Sequence, residues 1–329
     1  MRKKGLVERI LMKEPAEVDF SAEKLPRTRV KLFLYMIKNK FPKIYKNHLC
    51  MALFFLPLII WGILTMPYTD QIFSLDPGEG ITQLVDYWFT VYVTMIPLWA
   101  LAFVGLSGGL NVLRKLAWSD PIIFKSDFLK GVKDSGRQMA LIGLLWGIAF
   151  ALIRYSIDWL GFYYQVFDGS YSTVFGIFVC YALLAVLIGY TAYLCCMSSL
   201  YNVNLRELFV GAFKLYFADF PIAIGVILLC LAPFLILMLL GYAITTLLAY
   251  LLTLGLLLGI MIIPIMLVCH HTFDRVINKK DYPAYYGRGL SYGVYPEAQE
   301  SADESKIEDD EENEPETETD FERVYNDEN

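Results

Sequence analysis

The sequence predicts an all-α polytopic membrane fold. It has six transmembrane helices, arranged as three helical hairpins each preceded by an amphipathic interfacial elbow helix, and then a disordered acidic tail. Three observations predict this. Hydrophobic residues make up 56% of the chain and charged residues 19%, whereas soluble domains run near half and a quarter. The apolar residues gather into six runs, each close to the ~20 residues that a spanning helix needs. Finally, 27 of the 28 lysines and arginines fall on one side of the alternating topology those runs define, as cytoplasmic loops require.

Residues 1–29 are polar, mixed in charge and without helical periodicity, which reads as a flexible cytoplasmic arm. The first apolar run begins near His48, too far into the chain for a cleaved secretory signal. Over 30–47, Val30, Phe33, Leu34, Ile37 and Phe41 recur at helical spacing opposite Lys31, Tyr35 and Lys38. That pattern predicts a basic helix lying in the headgroup region.

The six-span domain is placed at 48–277, with spans at 48–66, 87–113, 138–160, 171–197, 220–240 and 243–268. Gly241 marks a tight turn between the last two. The gap after the first span carries Asp70, Asp76, Glu79 and Asp86 and no basic residue. The gap after the second carries Arg114, Lys115, Lys125, Lys130, Lys133 and Arg137. These six set the orientation, with both termini cytoplasmic. Two further elbows are expected near 120–136 and 204–218. In the first, Asp120-Pro121 reads as an N-cap with proline at the first helical position, and Phe124, Phe128 and Val132 share one face. In the second, Leu205, Leu208, Phe209, Ala212 and Tyr216 do so. The likeness of FLKGVK (128–133) to FVGAFK (209–214) suggests a threefold repeat of elbow plus hairpin.

Residues 278–329 form the tail. The stretch YPAYYGRGLSYGVY (282–295) rests its rings on headgroups or is disordered. From Glu297 onward sixteen acids face only Lys306 and Arg323, a composition that cannot bury enough apolar surface to fold.

The second span ends in GLSGGLNVLRKL (105–116), Asn47 opens the first span with Pro57 inside it, and DFLKGVKDSGRQ (127–138) leads into the third. Residues 47–277 on these grounds resemble the YesL-like family of predicted bacterial membrane proteins, a domain of unknown function. Val132 and Ser135 depart from the family pattern, which has Phe and Asn there. The resemblance implies a Gram-positive-type cell membrane, frequent association with carbohydrate-use loci, and no catalytic residue.

The candidate intramembrane positions are Asn111, Arg154, Asp158, Tyr181 and Tyr190. Arg154 and Asp158 stand at i, i+4, roughly 25 Å of helix rise beyond Arg137. They read as a mutually neutralised pair near the outer interface rather than a charged cavity. Asn111, Tyr181 and Tyr190 read as interhelical hydrogen-bonding groups beside the small Gly105, Ser107, Gly108 and Gly109, with a solute path along spans two and four as the alternative. Asp219 is expected to cap the fifth span. His48, His270 and His271 read as interfacial. The sequence contains no GxSxG, Walker loop or HExxH, so no catalytic residue, cofactor, metal or enzymatic activity is assigned.

The expected partners are the lipid bilayer and a membrane transporter or envelope protein, with no nucleic acid; the oligomeric state is left open. The leading expectation is an accessory or interaction module of a bacterial cell-membrane system, linked to carbohydrate uptake or use. The alternative is a small-solute transporter or permease, and an intramembrane enzyme comes third.

Overall fold

The computed structural model describes residues 25–73, 77–166, 171–201, 203–239, 248, 251–252 and 258–293. The described residues are helical throughout, with no strand among them. The principal helices are α1 (Arg29–Phe73), α2 (Pro77–Trp118), α3 (Phe124–Val166), α4 (Tyr171–Leu200), α5 (Leu205–Ala218), α6 (Phe220–Leu239) and α7 (Leu258–Phe273). A π-turn (Asp274–Asn278), the single turn α8 (Lys279–Asp281) and a 3-10 turn (Pro283–Tyr285) follow. Among the described residues five helices are long and apolar enough to cross a membrane, and six if the bent pair α5–α6 counts as one span. The arm before Leu25, the turn at Gly241, most of 243–257 and the acidic tail lie outside the described residues.

The expected elbows are separate at only one of three places. α1 runs unbroken through residue 47 despite Pro42, and α3 through residue 137, because both halves of each helix find a face to pack on. Only α5 and α6 meet at an angle, 90°, across Asp219. α3 also starts three residues later than Asp120-Pro121 suggests. α2 ends in a Schellman turn with Ser119 at φ 62°, the Asp120 N–H bonding the Lys115 carbonyl at 3.0 Å. Asp127 then reaches back to accept the Ile123 N–H at 2.9 Å and serves as the cap.

α3 and α1 both pack along α2. Small residues permit the close approach. A Cβ on Gly131 would stand 2.6 Å from Asn111 Cβ and 2.8 Å from the Ser107 carbonyl, and one on Gly109 would stand 2.0 Å from Met51 Sδ. The core continues through α4, α5 and α7 around Tyr193, Leu208, Tyr216 and Phe273, all but fully buried. α7 also docks on α1, where the Gly259 N–H donates to His48 Nδ1 at 3.1 Å.

The face of α1 that packs inward differs from the one its periodicity suggests. Leu32, Met36 and Ile44 are buried, whereas Val30, Leu34 and Phe41 are exposed. Periodicity finds an apolar stripe but does not say which of two stripes a neighbour covers, and here α2 and the C-terminal segment cover the second one. His48 and His270 are likewise buried inside the bundle, while His271 is exposed.

The tyrosine-rich segment, as far as Gly293, is a folded run of turns and not a disordered one. It folds back over the helix ends. Arg29 pairs with Asp274 and donates to the Arg288 carbonyl at 2.9 Å. Tyr201 donates to Asn278 at 2.5 Å, and the Ser291 N–H donates to the Pro26 carbonyl. Leu290 is 1% exposed. Gly287 and Gly289 supply the positive φ values, 64° and 83°, that let the chain turn this tightly.

Candidate functional site

Two polar clusters stand at opposite ends of the α2–α3 pair. The larger is at the basic end, where the last turns of α2 and α4 meet the first turns of α3. Ridges of small residues bring α2 and α3 together there, and a cavity of about 360 Å³ remains between them and α4. Its walls include Asn111, Arg114, Asp134, Ser135, Gln138 and Ser198. Asn111 is 6% exposed. Its amide donates to the Asp127 carbonyl at 2.7 Å, and its Oδ1 accepts from Arg114 at 2.6 Å. The other terminal nitrogen of Arg114 donates to the Ser199 carbonyl at 2.8 Å, and the guanidinium lies 5.2 Å from the centre of the Trp118 ring. Ser198 donates to Gln138 Oε1 at 3.0 Å, and Gln138 donates in turn to the Val203 carbonyl at 3.1 Å.

Of the six orientation-setting cations, Arg114 is thus drawn into the cavity wall. Lys115 pairs with Asp127 at 2.7 Å. Lys125, Lys130, Lys133 and Arg137 are exposed along α3 around the same end. Asp127 is buried beneath Lys115.

Just beyond the cavity the folded C-terminal segment completes this end. Two guanidiniums lie over the Trp118 ring, Arg114 and, at 4.9 Å from its centre, Arg288, and Tyr285 packs on it. Burial pushes the Tyr201 phenol well above its ordinary value, so it stays protonated and donates to Asn278. Arg275 pairs with Asp219 at 2.5 Å and donates to the Ala218 carbonyl, fixing the α5–α6 bend. Asp219 does begin α6, its carbonyl accepting the Ala223 N–H, but its carboxylate serves this longer-range pair.

At the opposite end Arg154 bonds Asp158 at 3.2 Å, as the i, i+4 spacing predicts. Tyr92 from α2 joins them and donates to Asp158 Oδ2 at 2.6 Å. The remaining candidates do not gather. Tyr190 donates to the Phe209 carbonyl at 3.1 Å and ties α4 to α5. Tyr181 is half exposed on the outer surface of the bundle. Thr94 bonds back to its own helix.

The sequence reading missed Tyr92, Gln138 and Ser198 as site residues. Gln138 carried a signal, a lone amide at the start of an apolar run; Tyr92 carried none, because its partners lie 62 and 66 residues away. Chemically the cavity is lined by a guanidinium, a carboxylate, the hydroxyls of Ser135, Ser198, Ser199 and Tyr201 and two amides, an arrangement suited to binding a polar group. Comparison of the chain with family models, with curated proteins and with solved structures finds no match to any of them.

Proposed function

We propose that this chain is a six-span integral protein of the cell membrane, with both termini cytoplasmic, acting as an accessory or interaction module of a bacterial membrane system. One observation carries this reading. Polar side chains within the bundle are spent on bonds between helices: Asn111 to α3, Tyr190 to α5, and Tyr193 Oη to Thr272 Oγ1 at 2.8 Å. The basic end, by contrast, is elaborated into a folded cap. Interhelical bonding of this kind holds a bundle in one arrangement, while a built surface beside the headgroups suits docking. The orientation rests on the lysine and arginine count. The link to carbohydrate uptake or use rests on the resemblance of residues 47–277 to the YesL-like family.

The test is purification of the full chain in mild detergent from its own membranes after crosslinking, with mass spectrometry of what accompanies it. A stoichiometric membrane partner is the expected result. A single species, alone or self-associated, would overturn the accessory role.

A second reading, a small-solute permease, is favoured by the cavity beside Asn111. It expects Asn111→Ala to change uptake of some solute while the protein still inserts. Unchanged uptake across a broad solute panel would remove it.

A further inference from the structure

We infer that the cavity between the basic ends of α2, α3 and α4 is a binding site for a phosphate ester bearing hydroxyl groups, with Arg114 as its anchor. The inference starts from how cations are matched at this end of the bundle. Arg29 has Asp274, Lys115 has Asp127 and Arg275 has Asp219. Lys40 caps the end of α2, donating to the Leu116 carbonyl at 2.7 Å, where the helix dipole supplies negative potential. Arg114 lines the cavity and, among the described residues, has no carboxylate within ion-pair distance. Its two hydrogen-bond acceptors, Asn111 Oδ1 and the Ser199 carbonyl, are both neutral. Its Nε–H is buried without an acceptor.

A guanidinium partly withdrawn from water, with its Nε buried, is costly to leave uncompensated. The last turn of α4, through the Ser199 carbonyl, offsets part of that cost. Each terminal nitrogen has spent only one of its two N–H groups, so a fork of donors remains for a planar pair of anionic oxygens.

The rest of the wall selects the kind of anion. The Ser135 and Ser198 hydroxyls donate to the Gly131 carbonyl and to Gln138 Oε1, at 3.1 and 3.0 Å. Toward a ligand their oxygens are therefore acceptors. Asp134, exposed at the mouth, is an acceptor too. Arg114 on one side and hydroxyl acceptors on the other fit a phosphate monoester or diester of a polyol. A volume of about 360 Å³ lies within the range of small-ligand sites, roughly 300–1,000 Å³. Two sources share this chemistry: a phosphoglycerol lipid headgroup, since basic pockets between membrane helices take such headgroups, and a soluble polyol phosphate. The exposed Lys130, Lys133 and Arg137 on α3 would attract either one.

The test is thermal unfolding of the full-length protein in detergent, titrated separately with phosphatidylglycerol, diacylglycerol and glycerol 1-phosphate. Phosphatidylglycerol or glycerol 1-phosphate should raise the melting temperature, and diacylglycerol, which lacks the phosphate, should not. A response to phosphatidylglycerol alone assigns the lipid headgroup; a response to glycerol 1-phosphate assigns the soluble ester. Arg114→Gln should weaken binding about tenfold or more, the loss of a charge-assisted bond. Asp134→Asn, on an exposed side chain that the fold tolerates, keeps the assay informative if Arg114→Gln fails to fold. It should tighten phosphatidylglycerol or glycerol 1-phosphate binding about threefold by removing a screened like charge. The inference is overturned by no response to either phosphate compound, by an equal response to diacylglycerol, by undiminished binding in Arg114→Gln, or by unchanged or weaker binding in Asp134→Asn.

Discussion

Arg29 and Asp274 form an ion pair across 245 residues of chain, both side chains only 10% exposed. The pair joins the first turn of α1 to the turn after α7, and Asp274 also accepts from Asn278 at 2.8 Å. It therefore anchors the C-terminal cap. Asp274→Ala would leave the Arg29 charge buried without its partner, a loss of about 3 kcal/mol. The expected result is a lower melting temperature in detergent and faster proteolysis after residue 281. The double variant Arg29→Met/Asp274→Leu should recover most of the loss, because two apolar chains incur no desolvation cost. A single variant that melts like the wild type would show that the cap is held elsewhere.

Tyr201 makes the same cap sensitive to alkali. Its phenol is pushed up by burial, so the folded protein holds that proton more tightly than the unfolded chain does. Below the ordinary tyrosine value, about 10, both states are protonated and this group gives no pH dependence. Above it the unfolded chain loses the proton first, and stability falls as pH rises. Tyr201→Phe should cost about 1 kcal/mol at neutral pH, from the lost bond to Asn278. It should also flatten the decline between roughly pH 10 and 12. Unfolding curves from pH 8 to 12 for both proteins would test this; an equally steep alkaline decline in the variant would exclude Tyr201 as a source.

Glycines along α2 and α3 should divide sharply. Gly131→Ala forces a methyl group to within 2.8 Å of the Ser107 carbonyl, a backbone atom that cannot swing aside. Overpacking of this kind costs about 2 kcal/mol. Gly161 and Gly225 have open space where a Cβ would stand, so alanine there should be neutral or stabilising by up to about 1 kcal/mol. Melting temperatures of the three variants would check the ranking. Equal effects would mean that α2 and α3 separate to admit the methyl group.

These contrasts also mark what was legible in the sequence. Helix positions were, because a run such as 171–197 is too apolar to be anything but a buried or lipid-facing helix. Asn111 was too, since an amide in such a run must find a partner. The partner itself, a carbonyl on α3, was not, because hydrogen-bond acceptors on the backbone leave no trace in residue type. Lys115 and Asp127 each read as surface charges until the α2–α3 turn brought them to 2.7 Å. The folding of residues 282–293 was hidden for another reason. Tyrosine and glycine serve loops and packed turns alike, and only the Trp118 surface presented by α2 decides between them. Two of the three elbows merge with the helix that follows because packing carries the helix through, past Pro42 in α1, whereas at Asp219 the ion pair with Arg275 holds a bend.

The opposite end of the bundle offers a measure of how deep its charges lie. Tyr92, Arg154 and Asp158 form a closed group: Tyr92 donates to Asp158 at 2.6 Å, Arg154 reaches Asp158 at 3.2 Å, and its guanidinium lies 5.8 Å from the Tyr92 ring centre. If the group is shielded from water, Tyr92→Phe and Asp158→Asn should not add, because either change loosens the hold on Arg154. Hydrogen bonds within membrane bundles show coupling of about 0.6 kcal/mol on average and up to about 1.7. A double-mutant cycle on melting in detergent should give a coupling near 1 kcal/mol. If the two changes add within error, Arg154 reaches water and headgroups on its own, as a snorkelling side chain would, and the group is an anchor at the outer surface. A clear coupling makes it a structural clasp between α2 and α3, matching at the acidic end what Asn111 does at the basic one.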